Sequence, residues 1–536
     1  MSVTAKDTAL QCTQTPQSVT NMNPVKKQII TLDEHQKSNE LNDFYLRFDS
    51  QNFSQECDRV LQSLPDTDDT CCLEVDPTSI RRLFSRVRTG KAAGPDGLPA
   101  FLLKSCAEEL TTAWCPIFQK SLNIHTVPAL WKKSIITPVP KKPCATENKD
   151  FRPVALTSIV MKCLEKFVVS LLMKDVEPKL DVYQFAYKQE CSTDDAILCT
   201  LHFISKHLEN TKAYARIVFV DFSSAFNTVQ IHILLEKLKD MSVNPTLIKW
   251  FYSFLTNRTQ QVRVNRTLSD TKHCNTGVPQ GCVASPTLFT LYTNDCSTVH
   301  PNNYMVKFAD DTVLLSLLHK DMDPSVYQDE IDLFIKWCDT NHLILNVTKT
   351  QEMVLDPRQM TDHEPVVIKN QKITTRVSSY KNLGVQIDNL LCWKTHIDNL
   401  CNRLQQRLYF LRRLRLYGVS SHIMMIFYRA IVESILRYGI SSWFGNLTVK
   451  LKSKLAGMHK TAMKIVGRKE YEPIQSIYEQ AVRKKAKKII SNSHHPLFPE
   501  YETLPSGRRL RVPLCKSNRL KLSFVPASIK LMNNVQ

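Results

Sequence analysis

Two aspartates, Asp310 and Asp311, stand side by side in KFADDTVLLS (307–316), a run whose other residues suit a buried strand. Burying one ionised carboxylate is costly, and burying two neighbours without a cation is worse. A third acid, Asp221, falls near the end of another apolar run, ARIVFVDFS (215–223). Carboxylates at the ends of separate strands can converge on a cation. Mg²⁺ takes a few carboxylates together with phosphate oxygens of a substrate. Two such ions clamp the attacking and leaving oxygens of an in-line phosphoryl displacement. Asp221 and Asp310 would supply the principal pair, and Asp311 a third charge.

The elements that must position these acids alternate between strand and helix. ARIVFVDFS reads as a central strand, and YMVKFADDTVLLSLL (304–318) as two strands broken at the aspartates. TQQVRVNRT (259–267) alternates like an exposed strand. IHILLEKLKDM (231–241), SPTLFTLYTNDC (285–296) and DEIDLFIKWCDTNHL (329–343) have helical spacing, with Pro286 in the first turn of the second. The mixture predicts an α+β fold. Only 12 glycines occur, and five of them fall in GKAAGPDG (90–97) and GVPQG (277–281). That concentration predicts two loops of special backbone geometry.

Beyond about residue 390 the pattern turns helical. HIDNLCNRLQQRLYFLRRLRL, SHIMMIFYRAIVESILRYG and KLKSKLAGMHKTAMKIVG are three segments ended by glycines. YEQAVRKKAKKIISN is a further basic helix. Residues 401–536 hold 26 Lys/Arg against six Glu and no Asp, a net +20, whereas the first 400 hold 44 basic and 45 acidic residues. All of the chain's +19 therefore lies in its last quarter. With aromatics interleaved (Tyr409, Phe410, Tyr417, Phe427, Tyr428), this asymmetry points to a polyanion, nucleic acid above all. Residues 1–40 read as a polar leader, with a helix beginning in LDEHQKSNELNDFYLRF (32–48). No apolar run approaches a membrane span, and the first residues lack the apolar core of a signal peptide. The 17 cysteines show no framework spacing, which predicts reduced thiols. Cys392, His396 and Cys401 match no common zinc pattern.

Several blocks, in order, resemble those of the reverse transcriptases of non-LTR, LINE-type retrotransposons. VDFSSAFNTV (220–229), GVPQGCVASPTLF (277–289) and KFADDTVLL (307–315) are similar to the family's palm motifs. GKAAGPDGLPAFLLK (90–104) and DFRPVALTSIVMKCLEKFV (150–168) resemble its fingers, and QFAYKQECSTDDAIL (184–198) the block that follows. LNVTKTQEMVL (345–355) and YKNLGVQID (380–388) resemble the two motifs after the Asp-Asp strand. The resemblance implies a right-hand polymerase: fingers and an antiparallel palm over 75–380, a helical thumb over 381–468 and a basic C-terminal helical region over 469–536, after a leader and helix over 1–74.

The same resemblance assigns roles. Asp221, Asp310 and Asp311 would bind two Mg²⁺ ions, with Mn²⁺ the alternative, and the carbonyl of Phe222 would add an oxygen. A primer 3′-OH would attack the α-phosphate of a dNTP on an RNA template. Phe226 would occupy the place of a ribose 2′-OH, and with Ala309-Asp310-Asp311 it points to DNA synthesis. Gln280 would touch the nucleotide and template, while Gly277 and Gly281 allow close backbone approach. Lys349 would sit near the pyrophosphate, and Arg152, with Lys162 second, on the triphosphate oxygens. Ala93 and Ala284 replace a usual proline and leucine. About 75 residues precede the match, too few for the endonuclease such elements commonly carry, so its absence is expected. The carboxylate-poor tail excludes an RNase H domain. The family's priming at chromosomal DNA implies the nucleus, with the cytoplasm as the alternative. An inactive remnant that binds RNA, or an intron-encoded maturase, are the competing readings.

Overall fold

The computed structural model describes residues 34–49, 53–65, 73–323, 325–358, 363–364, 366–368, 371–372 and 375–534. Most of the leader, and Cys71 and Cys72, lie outside the described residues. In chain order the main strands are β1 (Lys133–Pro140), β2 (Phe151–Leu156), β3 (Ala213–Val220), β4 (Arg258–Val264), β5 (Thr267–Leu268), β6 (Lys272–Cys274), β7 (Asn303–Phe308), β8 (Asp311–His319), β9 (Gln351–Leu355), β10 (Ser379–Asn382) and β11 (Val385–Asp388). The main helices are α1 (Glu34–Leu46), α2 (Ile159–Val176), α3 (Thr193–His207), α4 (Ile231–Asp240), α5 (Pro245–Leu255), α6 (Ala284–Tyr292), α7 (Ser325–Thr340), α8 (Lys394–Leu416), α9 (Ser421–Phe427), α10 (Val449–Val466), α11 (Ile474–Ile490) and α12 (Phe524–Asn533).

Strand β3 explains the central sheet. All eight of its residues are buried, because helices cover both faces. Period-two alternation divides them. Tyr214, Val218 and Val220 join the core built with α2 and α4 to α7. Ala215, Ile217 and Phe219 join a second core with α3, α8, α10 and α11. A strand buried on both sides reads as a continuous apolar run, which is why ARIVFVDFS showed no polar alternation. The sheet order is β7–β8–β3–β9, antiparallel throughout. A second sheet, β2–β1–β4–β5 with β6 on β4, stands beside it. Its β1–β4 pair is parallel. Strand β4 is half-buried because α1 lies along it. Asn42 of that helix bonds Ser269 and the Asp270 carbonyl, and Gln260 bonds Asn42.

The basic helices are not an appendage. In α8, Ile397, Leu400, Leu404, Leu408 and Leu411 form a narrow apolar stripe facing the second core, while Arg403, Arg412 and Arg413 stay exposed. The three expected helical segments end at Gly418, Gly439 and Gly467, each with positive φ (70°, 59° and 85°). The middle segment contains a π turn at Tyr428–Glu433. Helix α11 and the chain after it clamp α3 at both ends. Lys485 and His495 meet the buried Asp195 at 2.8 and 3.3 Å, and Glu500 meets His202 and Lys206 at 3.3 and 2.6 Å. All the described cysteines are free thiols. Cys392 is exposed, Cys401 lies in the core, and His396 Nδ1 accepts the Gln386 amide, so these three do not gather. Among the described residues no helix is long and apolar enough to cross a membrane.

Candidate active site

Asp221 follows β3 directly. The β3–β8 register pairs Val220 with Thr312, so the next step along both strands sets Asp221 beside Asp311. Asp311 in turn pairs with Phe308 across the β7–β8 hairpin, leaving Ala309 and Asp310 as the turn. Ala309 has φ 58°, a left-handed conformation that costs a non-glycine residue of order 1 kcal/mol. The turn is held there by Gln184, which is buried and whose Oε1 accepts the Ala309 amide at 3.2 Å and the Ala186 amide at 3.0 Å. Ala309 is itself buried, so a small side chain suits this point. Below the turn, the fully buried Lys307 bonds the Thr293 and Cys296 carbonyls and Asp181, at 2.7, 2.7 and 2.8 Å.

The three carboxylates feel one another. Asp311 is pushed up to about 6, first by desolvation in the cleft and then by repulsion from Asp310 and Asp221. Asp310 is also raised, first by desolvation, against the pull of its own backbone amide and of Arg152. Both side chains keep solvent access, but the cleft walls crowd them. Oδ2 of Asp221 is buried with no hydrogen-bond partner. The Phe222–Leu345 bridge is made by the flanking residues: Ser223 donates to the Ile344 carbonyl and Asn346 to the Asp221 carbonyl, both at 2.8 Å. The Phe222 carbonyl stands outside that pairing. Repelling carboxylates, one of them with an oxygen that accepts no hydrogen bond, and the adjacent Phe222 carbonyl form an all-oxygen donor set that fits a hard divalent cation. Among the described residues, no three His, Cys, Asp or Glu side chains are already drawn together as a finished metal cage.

Cations rim the acids. Asn346–Thr350 is pinned to Asp221 through the Asn346 amide, and this turn delivers Lys349 to 3.6 Å from Asp221 Oδ2. Lys349, Arg152 and Arg47 all act on Lys141, whose ammonium is pushed down first by desolvation and then by these three charges. Arg47 was not among the residues expected from sequence. It leaves the end of α1 between the rings of Phe44 and Phe48, 3.9 and 4.1 Å from their centroids, and donates to Ser224 Oγ at 3.1 Å. Lys162, on α2, contributes its charge to Glu165 and Cys282.

The GVPQG loop is fastened to both walls. Gly277 donates to the Val229 carbonyl and Val278 to the Phe226 carbonyl, each at 2.8 Å. With φ 71°, Gly277 sits so close that a Cβ would lie 2.8 Å from the Phe226 oxygen. Gly281, φ 119°, would place a Cβ 2.6 Å from the Ala155 carbonyl, and Ala155 donates to the Gln280 carbonyl at 2.7 Å. Only glycine allows either approach. The Phe226 ring is half-buried and stacks on Phe289 at 4.8 Å and 20°. Gln280 borders a small cavity of about 40 Å³ shared with Tyr45, Phe48 and Gln260. Asp221, Asp310, Asp311, Lys349 and Arg152 are thus brought to one end of the sheet, with Phe226, Gln280 and Gly281 on the adjoining loop pair. Ala284 is fully buried at the start of α6. Two tyrosines also face the acids. Tyr187 is raised first by desolvation and then by Asp310. Tyr380, stacked 3.8 Å over Phe219, is raised first by desolvation and then by Asp311 and Asp221.

Residues 139–387 match the family profile described as reverse transcriptase (RNA-dependent DNA polymerase). The chain is 27% identical over 332 residues to the RNA-directed DNA polymerase from mobile element jockey of Drosophila melanogaster, covering 60% of this chain and 36% of that protein. It is 25% identical over 394 residues to the probable RNA-directed DNA polymerase from transposon BS of the same fly, covering 69% and 42%. The corresponding X-element protein is 23% identical over 405 residues, with 73% and 44% covered. The chain therefore spans about two fifths of the length of these relatives. Residues 393–434, which include α8 and α9, match a second profile, described as alkylated DNA repair protein alkB homolog 8, N-terminal.

Proposed function

We propose that this chain, whose residues 139–387 make up a reverse transcriptase domain of the LINE type, polymerises DNA on an RNA template. The observation that carries the reading is the convergence of Asp221 with the Asp310–Asp311 turn, with Lys349 held 3.6 Å from Asp221. The arrangement is that of a right hand, with the β3 sheet as palm, the β1–β4 sheet as fingers and α8 to α10 as thumb. Asp221, Asp310, Asp311 and the Phe222 carbonyl would hold two Mg²⁺ ions, or Mn²⁺ in their place. When bound, such ions supply Lewis-acid activation of the primer hydroxyl and neutralise charge on the phosphates.

The chain's own residues do the rest by position and charge. Lys349, Arg152, Lys141 and Arg47 form a cationic rim for the triphosphate, and Lys349 can hand a proton to the departing pyrophosphate. The Phe226 ring, fixed by Phe289, closes the space a 2′-OH would need. The backbone of Val278 to Gly281 is held close enough for Gln280 to meet the base pair. The exposed Arg403, Arg412, Arg413, Lys460 and Lys464 face solvent for the phosphates of a primer–template duplex. Priming at chromosomal DNA would place this work in the nucleus. The test is primer extension on poly(rA)·oligo(dT) with dTTP and Mg²⁺. Template-dependent extension supports the reading, whereas a folded protein that binds RNA and extends nothing supports an RNA-binding remnant instead.

A further inference from the structure

We propose that Glu165 is a positioning residue for nucleotide binding: it sets the Gly277–Gly281 loop, and so Gln280, by capping α6 from the opposite wall. Glu165 belongs to α2 and is completely buried. Its Oε2 accepts the Val283 amide at 2.6 Å and the Ala284 amide at 2.8 Å. These amides come one residue after the loop, beyond Cys282, and α6 has no cap from a side chain of its own N-terminus. The unbonded amides of a helix start carry partial positive charge, so a carboxylate there is both acceptor and counter-charge. No cation bonds Glu165, and its Oε1 has no hydrogen-bond partner. Desolvation pushes the group up to about 7, against the two amides and the more distant Lys162 and Lys166.

A buried carboxylate without an ion partner is a costly way to fill space. Its geometry shows what it gives in return. The loop is fastened through backbone groups at Gly277 and Val278 to Val229 and Phe226 and at Gln280 to Ala155, and the Arg258 guanidinium donates to the Gly277 carbonyl at 2.8 Å. Downstream of Gln280, Glu165 is the side chain that fixes where the backbone goes as it enters α6. The nearby Cys282 Sγ reaches Thr157 Oγ1 at only 3.7 Å, a weak tie. Losing Glu165 would let residues 279–284 shift while leaving the carboxylates of the β3 and β8 ends in place.

The inference rests on the polymerase reading, and two measurements separate the two. In primer extension, Glu165→Leu should raise KM for dNTP about tenfold, the scale of a lost helix cap. Its kcat and primer–template affinity should stay within about threefold, and Glu165→Gln, which keeps an acceptor oxygen, should restore most of the loss. Amide exchange of the full chain supplies the other arm: Val283 and Ala284 should exchange about tenfold faster in Glu165→Leu than in wild type, with β3 and β8 unchanged. If those amides stay as protected as in wild type, the assignment is overturned, whether or not the chain extends primers. If kcat, template affinity and melting temperature all fall together along with the rise in KM, Glu165 is a packing residue and the proposal fails. If wild type extends nothing, the polymerase reading falls, and the exchange result alone decides the cap.

Discussion

At the scale of single residues, the site depends on groups that chemistry makes hard to replace. Phe226 is an example, because its ring has a fixed partner in Phe289. Phe226→Ala should raise ribonucleotide incorporation about 10- to 100-fold, the range that pocket sterics provide. Unchanged rNTP/dNTP selectivity in steady-state extension would remove its role as a gate. The order of several motifs made these residues legible: an Asp-Asp pair alone is a weak signal, and the blocks before and after it gave it meaning. Arg47, Gln184 and Glu165 were not legible in that way. Each is an ordinary polar residue whose meaning comes from a partner far along the chain, such as Arg47 and Ser224, 177 positions apart.

At the scale of elements, α1 and α11 matter more than their composition suggested. Helix α1 is mostly polar, with Leu41 and Tyr45 buried in a small core and Phe44 packed against it. Its hold comes from hydrogen bonds to β4 and the β5–β6 turn, which no periodicity announces. Arg47→Ala should therefore raise KM for dNTP several-fold without lowering the melting temperature by more than a surface change does. If KM and template affinity both stay at wild-type values, Arg47 only staples α1 to the Ser224 turn. Helix α11 read as one more basic helix, yet Lys485 and the following His495 and Glu500 lock it to α3. Burial alone would raise Asp195, but His495 and Lys485 hold it down to about 2, and His202 and Lys206 do the same for Glu500. A carboxyl held low in the fold adds stability above its unfolded value near 4 and loses it as pH falls toward about 2. Urea unfolding between about pH 4 and 2 should lose less stability per pH unit in Asp195→Asn/Glu500→Gln than in wild type. Equal slopes would show that the clamp carries no linked protons.

At the scale of the whole molecule, two cores share one sheet, and the basic last quarter is built into the second of them. The main strands of the central sheet and the α+β class followed from periodicity and apolar runs. The sharing did not, because it depends on which face of β3 each distant helix covers. A charge of +20 beyond residue 400 remains largely at the surface of that second core. The molecule thus joins a strongly basic last quarter to a site where three carboxylates meet a cationic rim. The most direct test of that account is Asp310→Asn compared with wild type on poly(rA)·oligo(dT), with primer extension and template binding measured on the same preparations. Extension should fall by about three orders of magnitude or more, since the lost ligand carries several kcal/mol of charge stabilisation, while template affinity stays at the wild-type value. An Asp310→Asn protein that extends primers at the wild-type rate would contradict the account.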